Sequence, residues 1–283
     1  IVNVVVTQQV ASAPNTLQQT GAFVSQGATT LPSGTSRLLT QLSDLSSILT
    51  GAVNISSITW ATNVATVTTS SAHGIPSGDT VQVIITGVLP AGYNGTFLAT
   101  STGTTTFTYP LLANPGSYVS GGTETLEDVS ELVAMATTFF AQGSTVPVYV
   151  LELGVDSVAN GVTALEAYIA NPTIKFYSYL LPKTWDTEST AVTMARTYNG
   201  TTAQVYFYVT TTLATYSAWE NIKSVFATLQ TPTAPITEFD AAAIFQVTLS
   251  YNPNASNLAH PLSFTYVYGV SPYKLTNTQQ TLA

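Results

Sequence analysis

Apolar residues in the middle of the chain change period abruptly, and each change marks an element. Leu132, Val133, Ala136, Phe139 and Phe140 recur at helical spacing, Gly143 suits a left-handed helix end, and Pro147 blocks continuation before the apolar run 148–153. The pattern predicts a helix over 126–141 feeding a buried strand over 147–153 that contains Tyr149. Thr125 and Asp128 have the spacing of a capping box, which puts the helix start just after Glu124. The alternation continues with a helix over 162–170 and a strand over 175–181, then a helix over 187–198 and a strand over 203–209. A further helix over 216–229 opens on Ser217 and Glu220, again at capping-box spacing, and the run TPTAP at 231–235 breaks the pattern. Beyond it, FDAAAIFQVTLS reads as a helix or strand and LSFTYVYGV as a strand. Such a series predicts an α/β (α+β) body with a mixed or parallel sheet and flanking helices.

Two stretches depart from this rhythm. Residues 52–123 consist of short β-branched runs separated by His-Gly, Ser-Gly-Asp, Tyr-Asn-Gly and Ser-Thr-Gly, which predicts an inserted β-sandwich or barrel-like module. Residues 1–20 open on Val2, Val4 and Val6 at alternating positions and continue through a linker with Pro14, which predicts an extended N-terminal arm. A lone strand is unstable in water, so the arm must pair with this chain's sheet or with a neighbour's edge. The organisation expected is therefore an arm over 1–20, a body over 21–51 and 124–283, and a β module over 52–123.

Composition narrows the function. The 283 residues include 6 Lys and Arg and 14 Asp and Glu, so that charged residues make up 7% of the chain; an ordinary soluble domain carries about 25%. The surface must be covered mainly by Thr, Ser, Asn, Gln and Tyr, which is cheap to desolvate and fits assembly with other proteins. A net charge of −8 without a basic cluster argues against nucleic acid and anionic membranes as partners. Mean hydropathy is +0.27, but Gly, Pro, Thr and Asn interrupt every long uncharged run, so none reads as a spanning helix. The apolar opening has no basic leader and does not read as a signal peptide.

Candidate chemistry is sparse. With no cysteine, a disulfide framework and a thiolate metal site are both ruled out. His73 sits in a turn context and His260 precedes Pro261 in a loop, and both read as structural. The carboxylates Glu124, Glu127, Asp128 and Glu131 gather at a helix start, where the free N–H groups attract negative charge. Asp186 and Glu188 read as another first helical turn. No Gly-x-Ser-x-Gly, Walker or dinucleotide glycine pattern occurs. An enzyme is not expected, nor is any metal or cofactor.

The helix ending in Phe-Phe-Ala-polar-Gly, with its short loop and Tyr-Val strand, resembles a segment of the contractile tail sheath proteins of bacteriophages. The Pro14-bearing arm, GAFVSQGAT at 21–29 and LLTQLSDLSSILTG at 38–51 extend the resemblance, which covers 15–51 and 125 to about 215 and departs at Gln41 and Leu42. The segments AHGI, GDTV, YNGTF and TTFTY resemble a small β module of many virion proteins. The resemblance implies a structural subunit made in the host cytoplasm and located in the virion tail. It would polymerise into stacked, hexameric, helical rings, contact tail tube, baseplate and terminator proteins, exchange arms through Val2, Val4 and Val6, and contract to drive genome delivery. Leu132, Ala136, Phe139, Phe140 and Tyr149 would form the core motif. The alternative is a receptor- or carbohydrate-binding tail or baseplate protein, with Trp60, Tyr93 and Phe97 as a stacking platform.

Overall fold

A computed structural model describes residues 19–143, 146–199, 205–235, 237–250, 266–271 and 273–276. Val2, Val4, Val6 and His260 lie outside them, as do residues 262–265 of the expected strand over 262–270, whose described part, from residue 266, is not a strand.

The chain enters through β1 (Gly21–Ser25), turns into β2 (Thr35–Leu39) and the single turn α1 (Ser43–Ser46), and then builds six strands in succession. These are β3 (Val53–Ala61), β4 (Val64–Thr69), β5 (Thr80–Thr86), β6 (Gly95–Gly103), β7 (Thr106–Pro110) and β8 (Thr123–Leu126). They close into an antiparallel barrel in the order β3-β4-β7-β6-β5-β8. The barrel is filled by Ile58, Val67, Val83, Ile85, Phe107, Tyr109 and their neighbours. Its first and last strands lie side by side, Val53 opposite Glu124 and Asn54 opposite Thr123.

The sixth strand corrects the sequence reading. Thr125 is opposite Ile84 in the barrel wall, and α2 (Glu127–Ala141) begins behind Leu126 with no side-chain cap. The backbone at 123–126 is committed to barrel closure, so the capping-box spacing of Thr125 and Asp128 is not used as a cap. Glu127 and Asp128 still occupy the first helical turn, where the free N–H groups favour them.

The body follows as β9 (Val148–Glu152), α3 (Val158–Ala170), β10 (Ser178–Leu180), α4 (Ser189–Thr197), β11 (Tyr206–Thr211), α5 (Tyr216–Trp219), β12 (Val225–Leu229) and α6 (Asp240–Ser250). Its mixed sheet has the order β12-β11-β10-β1-β9-β2, with all pairs parallel except β2 against β9. Helices cover both faces. On one, α3 and α4 pack Leu165, Met194 and Ala195 against Ala22, Tyr179 and Phe207. On the other, α2 and α6 pack Leu132, Ala136, Phe139 and Phe245 against Phe23, Val148 and Val150. Phe139 is fully buried, its ring edge-on to Phe23 at 5.3 Å. Phe140 is half-buried beside it.

Two further expectations change. The helix predicted over 216–229 is one turn followed by a strand, because Asn221 takes a left-handed φ of 60° and Trp219 is anchored by its indole N–H on Asp186. Tyr149 belongs to the opposite face from Phe139, where it packs on Phe176 at 5.1 Å. Side chains alternate along a strand, so Val148 and Val150 meet α2 while Tyr149 cannot. No helix among the described residues is long and apolar enough to cross a membrane.

Candidate functional site

Leaving out the antiparallel edge, the parallel strands follow the doubly wound order in which the chain runs first to one side of β1 and then to the other. Ligands in such sheets bind beyond the carboxyl ends of the strands where the order reverses, here between β1 and β10. The residues at that place are Ser25 closing β1 and Gln26 after it, Glu152 closing β9, and Lys183 to Asp186 after β10.

The protein's own side chains occupy most of it. The Gln26 Oε1 accepts the indole N–H of Trp185 at 2.7 Å, and Nε2 donates to the carbonyls of Ser157 at 3.1 Å and Asp156 at 3.4 Å. Gly161 of α3 makes room for it, since a Cβ there would stand 2.1 Å from the Gln26 Nε2. The Glu152 carboxylate is buried and accepts from Ser25 Oγ, Gly27 N, Thr29 N, Thr29 Oγ and Gly154 N at 2.6 to 3.1 Å. The amides after β1, which would cradle a phosphate in a nucleotide-binding sheet, are thus turned onto an internal carboxylate. A crevice of about 250 Å³ remains between barrel and body, bordered by Gln82 and Leu98 from the barrel and by Asp128, Asp156, Thr184 and Thr187 from the body. None of its lining residues is basic.

Beside this crevice the carboxylates of α2 meet Lys183 and the start of α6. Burial pushes Asp128 up to about 7, helped by the charges of Glu152 and Glu127. Burial, then Asp128 and Glu127, hold Glu131 well above the usual carboxylate range, and burial also raises Glu127. Asp240 is pushed up to about 7 by burial and by Glu238. Burial lowers the Lys183 ammonium, opposed by Glu131, Asp240, Glu238 and Glu127. Three buried oxygens here, Glu127 Oε2, Glu131 Oε2 and Asp240 Oδ1, have no hydrogen-bond partner. Sequence reading explains these groups by the helix start alone. It misses Lys183, Glu238 and Asp240, which lie 52 to 113 residues away in sequence and reach the cluster only through the order of the strands.

Glu124, grouped with them in the sequence, lies in β8 rather than on α2, 1% exposed, with one oxygen unpartnered, and burial raises it to about 7. Asp186 is a bracket for α5: Oδ1 accepts from Trp219 Nε1 at 3.0 Å, and Oδ2 accepts from Thr212 N at 3.3 Å and from the Thr215 hydroxyl. Burial raises it, against these bonds. His73 is buried, its Nδ1 accepting from Ile75 N at 3.1 Å and its Nε2 facing the Gly103 carbonyl at 2.8 Å. It is tied into the barrel wall. Among the described residues no group of three or more His, Asp or Glu is placed to hold a metal ion.

The three aromatics of the alternative reading do not form an open platform. Tyr93 is buried with its hydroxyl on the Gly116 carbonyl at 2.7 Å, Phe97 stacks on Tyr109 at 4.1 Å, and Trp60 packs on the barrel core while donating to Leu111 O at 2.8 Å.

Comparison with protein-family models and with curated proteins finds no match.

Proposed function

We propose that the chain is a structural subunit of a contractile tail sheath, a homo-oligomer that stacks in helical rings and acts mechanically. One observation carries this reading: the parallel sheet ends in β12, which among the described residues pairs only with β11 and so presents an open strand edge. A groove beside that edge is lined by Tyr216, Trp219, Ile222 and Phe226. An open edge on a charge-poor protein is a template for an added strand, and the alternating Val2, Val4 and Val6 have the pattern to supply one from another copy. The crowded switch point supports the same reading, because the place where an α/β enzyme holds its ligand is largely taken up by Gln26, Trp185 and Glu152. In this reading the barrel projects from the body as an appendage, and tube, baseplate and terminator proteins are the partners.

Electron microscopy of the purified full chain tests the proposal. Helical tubes support it, and a compact monomer or trimer at every concentration and salt condition overturns it.

A further inference from the structure

The described C-terminal segment is fastened at two points. The Gln142 side chain, at the end of α2, accepts from Tyr268 N at 2.8 Å and donates to Tyr268 O at 2.7 Å. The Glu238 carboxylate accepts from the backbone N and the hydroxyl of Ser271, the latter at 2.9 Å. Glu238 is itself held in place through its carbonyl, which accepts from Lys183 Nζ at 2.8 Å and from Gln230 Nε2 at 2.9 Å. Lys183 is therefore one of two side-chain anchors, with Gln230, of the turn that aims Glu238 at Ser271.

The groups facing that lysine are badly unbalanced. From α2 come Glu127 and Glu131, with Asp128 next to them. The end of β9 contributes Glu152, which acts on Asp128, and the start of α6 contributes Glu238 and Asp240. Among the described residues a single ammonium faces these carboxyl groups, and it donates to a backbone carbonyl. Asp240 is 9% exposed, and its Oδ1 has no donor, as is true of Glu127 Oε2 and Glu131 Oε2. Buried carboxylate oxygens without donors are tolerable only if they carry a proton or meet a cation. The arrangement is not one that holds a metal ion.

We propose that the carboxyl groups between α2, Lys183 and α6 are a proton-operated clasp on the C-terminal segment, holding residues 266–271 against the body when protonated and releasing them when ionised. Upon ionisation Glu131 and Asp240, which both act on Lys183, draw its ammonium away from the Glu238 carbonyl. The turn carrying Glu238 then keeps Gln230 but loses Lys183, and its two bonds to Ser271 loosen. Asp128 and Asp240, both pushed up to about 7, place this change near neutral pH. Because it concerns only a segment of the chain, the clasp stands whether or not the protein forms tubes.

Hydrogen exchange of the Tyr268 and Ser271 amides in the full chain, corrected for the intrinsic pH dependence of exchange, reads the clasp directly. Between about pH 5.5 and about pH 8.5 their protection should fall at least about tenfold, the effect of a one-unit difference in a single carboxyl pKa between the closed and open states. The triple substitution Glu127→Gln, Glu131→Gln and Asp240→Asn should keep protection high at both ends. If that protein does not fold, Glu131→Gln alone should shrink the fall in protection, since one of the titrating groups is gone. Ser271→Ala should lower the protection of Tyr268 at both ends. Protection that stays flat in the wild type, or a fall that persists unchanged in the carboxamide variants, overturns the proposal. So does full recovery at the alkaline end on adding Ca²⁺, which would assign the site to a metal instead of a proton.

Discussion

The indole N–H of Trp185 reaches the Gln26 side-chain oxygen at 2.7 Å, joining the end of β1 to the turn after β10. Both residues are buried, so neither group can turn to water instead. Trp185→Phe should leave the Gln26 oxygen unpaired and cost about 1–3 kcal/mol in urea unfolding. Gly161→Ala should cost at least as much, since its new Cβ would displace the Gln26 carboxamide from three bonds at once. A Gly161→Ala protein with an unchanged unfolding midpoint would mean that Gln26 does not plug the sheet.

Phe139 meets Phe23 and Phe245 in the core between α2, α6 and the sheet. Phe139→Ala should cost about 3–5 kcal/mol, a large part of what a domain has to spare. Phe140, only half-buried, should cost clearly less. Equal losses at the two positions would show that the pair anchors a contact between copies instead.

Stability should decline as pH rises through neutrality. The Glu124 carboxyl titrates near 4.5 when unfolded and near 7 in the folded barrel, so the folded state holds the proton more tightly. Its contribution is fully present below about pH 4.5 and is lost as pH climbs through about 7, a change of about 3 kcal/mol for one group. Asp128 and Asp240 act in the same direction. Thermal unfolding followed from pH 5 to 8 should give a falling melting temperature, and Glu124→Gln should flatten the slope. A melting temperature that rises over this window would contradict the burial of these carboxyls.

The barrel should be removable. Its first and last strands are paired at Val53 and Glu124, so the chain enters and leaves the barrel side by side. Excision of 53–126 with a short Gly-Ser bridge from Ala52 to Glu127 should leave a folded body, and, in the proposed assembly, one that still forms tubes. Circular dichroism and electron microscopy check the two halves of this expectation. Tubes lost from a folded body would place the barrel in an essential contact.

Removing residues 1–12 should leave the body folded and abolish polymerisation, if the proposed arm supplies the strand that completes an open edge. Sedimentation of the truncated protein checks this. Tubes of ordinary length would show that the connector lies elsewhere.

How far the sequence discloses this molecule depends on the range of the interactions involved. The helix with Phe139 and the strand after Pro147 are written in local periodicity, and the structure places them within one residue of the expected bounds. The turn-rich stretch likewise forms short strands. Thr125 misleads because cap spacing and strand closure use the same residue types, and only the distant β5 and β3 decide between them. At 216–229 a helical pattern yields to one left-handed residue, Asn221, and to the anchoring of Trp219 on Asp186. The acidic cluster is half legible: Glu127, Asp128 and Glu131 are adjacent in sequence, but their partners come from β10 and α6, and no local pattern announces that meeting.

Barrel and body are joined on one side without a spacer, since Leu126 ends β8 and Glu127 begins α2. A twist applied to the barrel therefore has no slack to absorb it at that junction and passes as torque into the helix that carries Phe139 through the core. In the proposed assembly a load on the barrel would be felt at the first turn of that helix, among the carboxyls around Lys183.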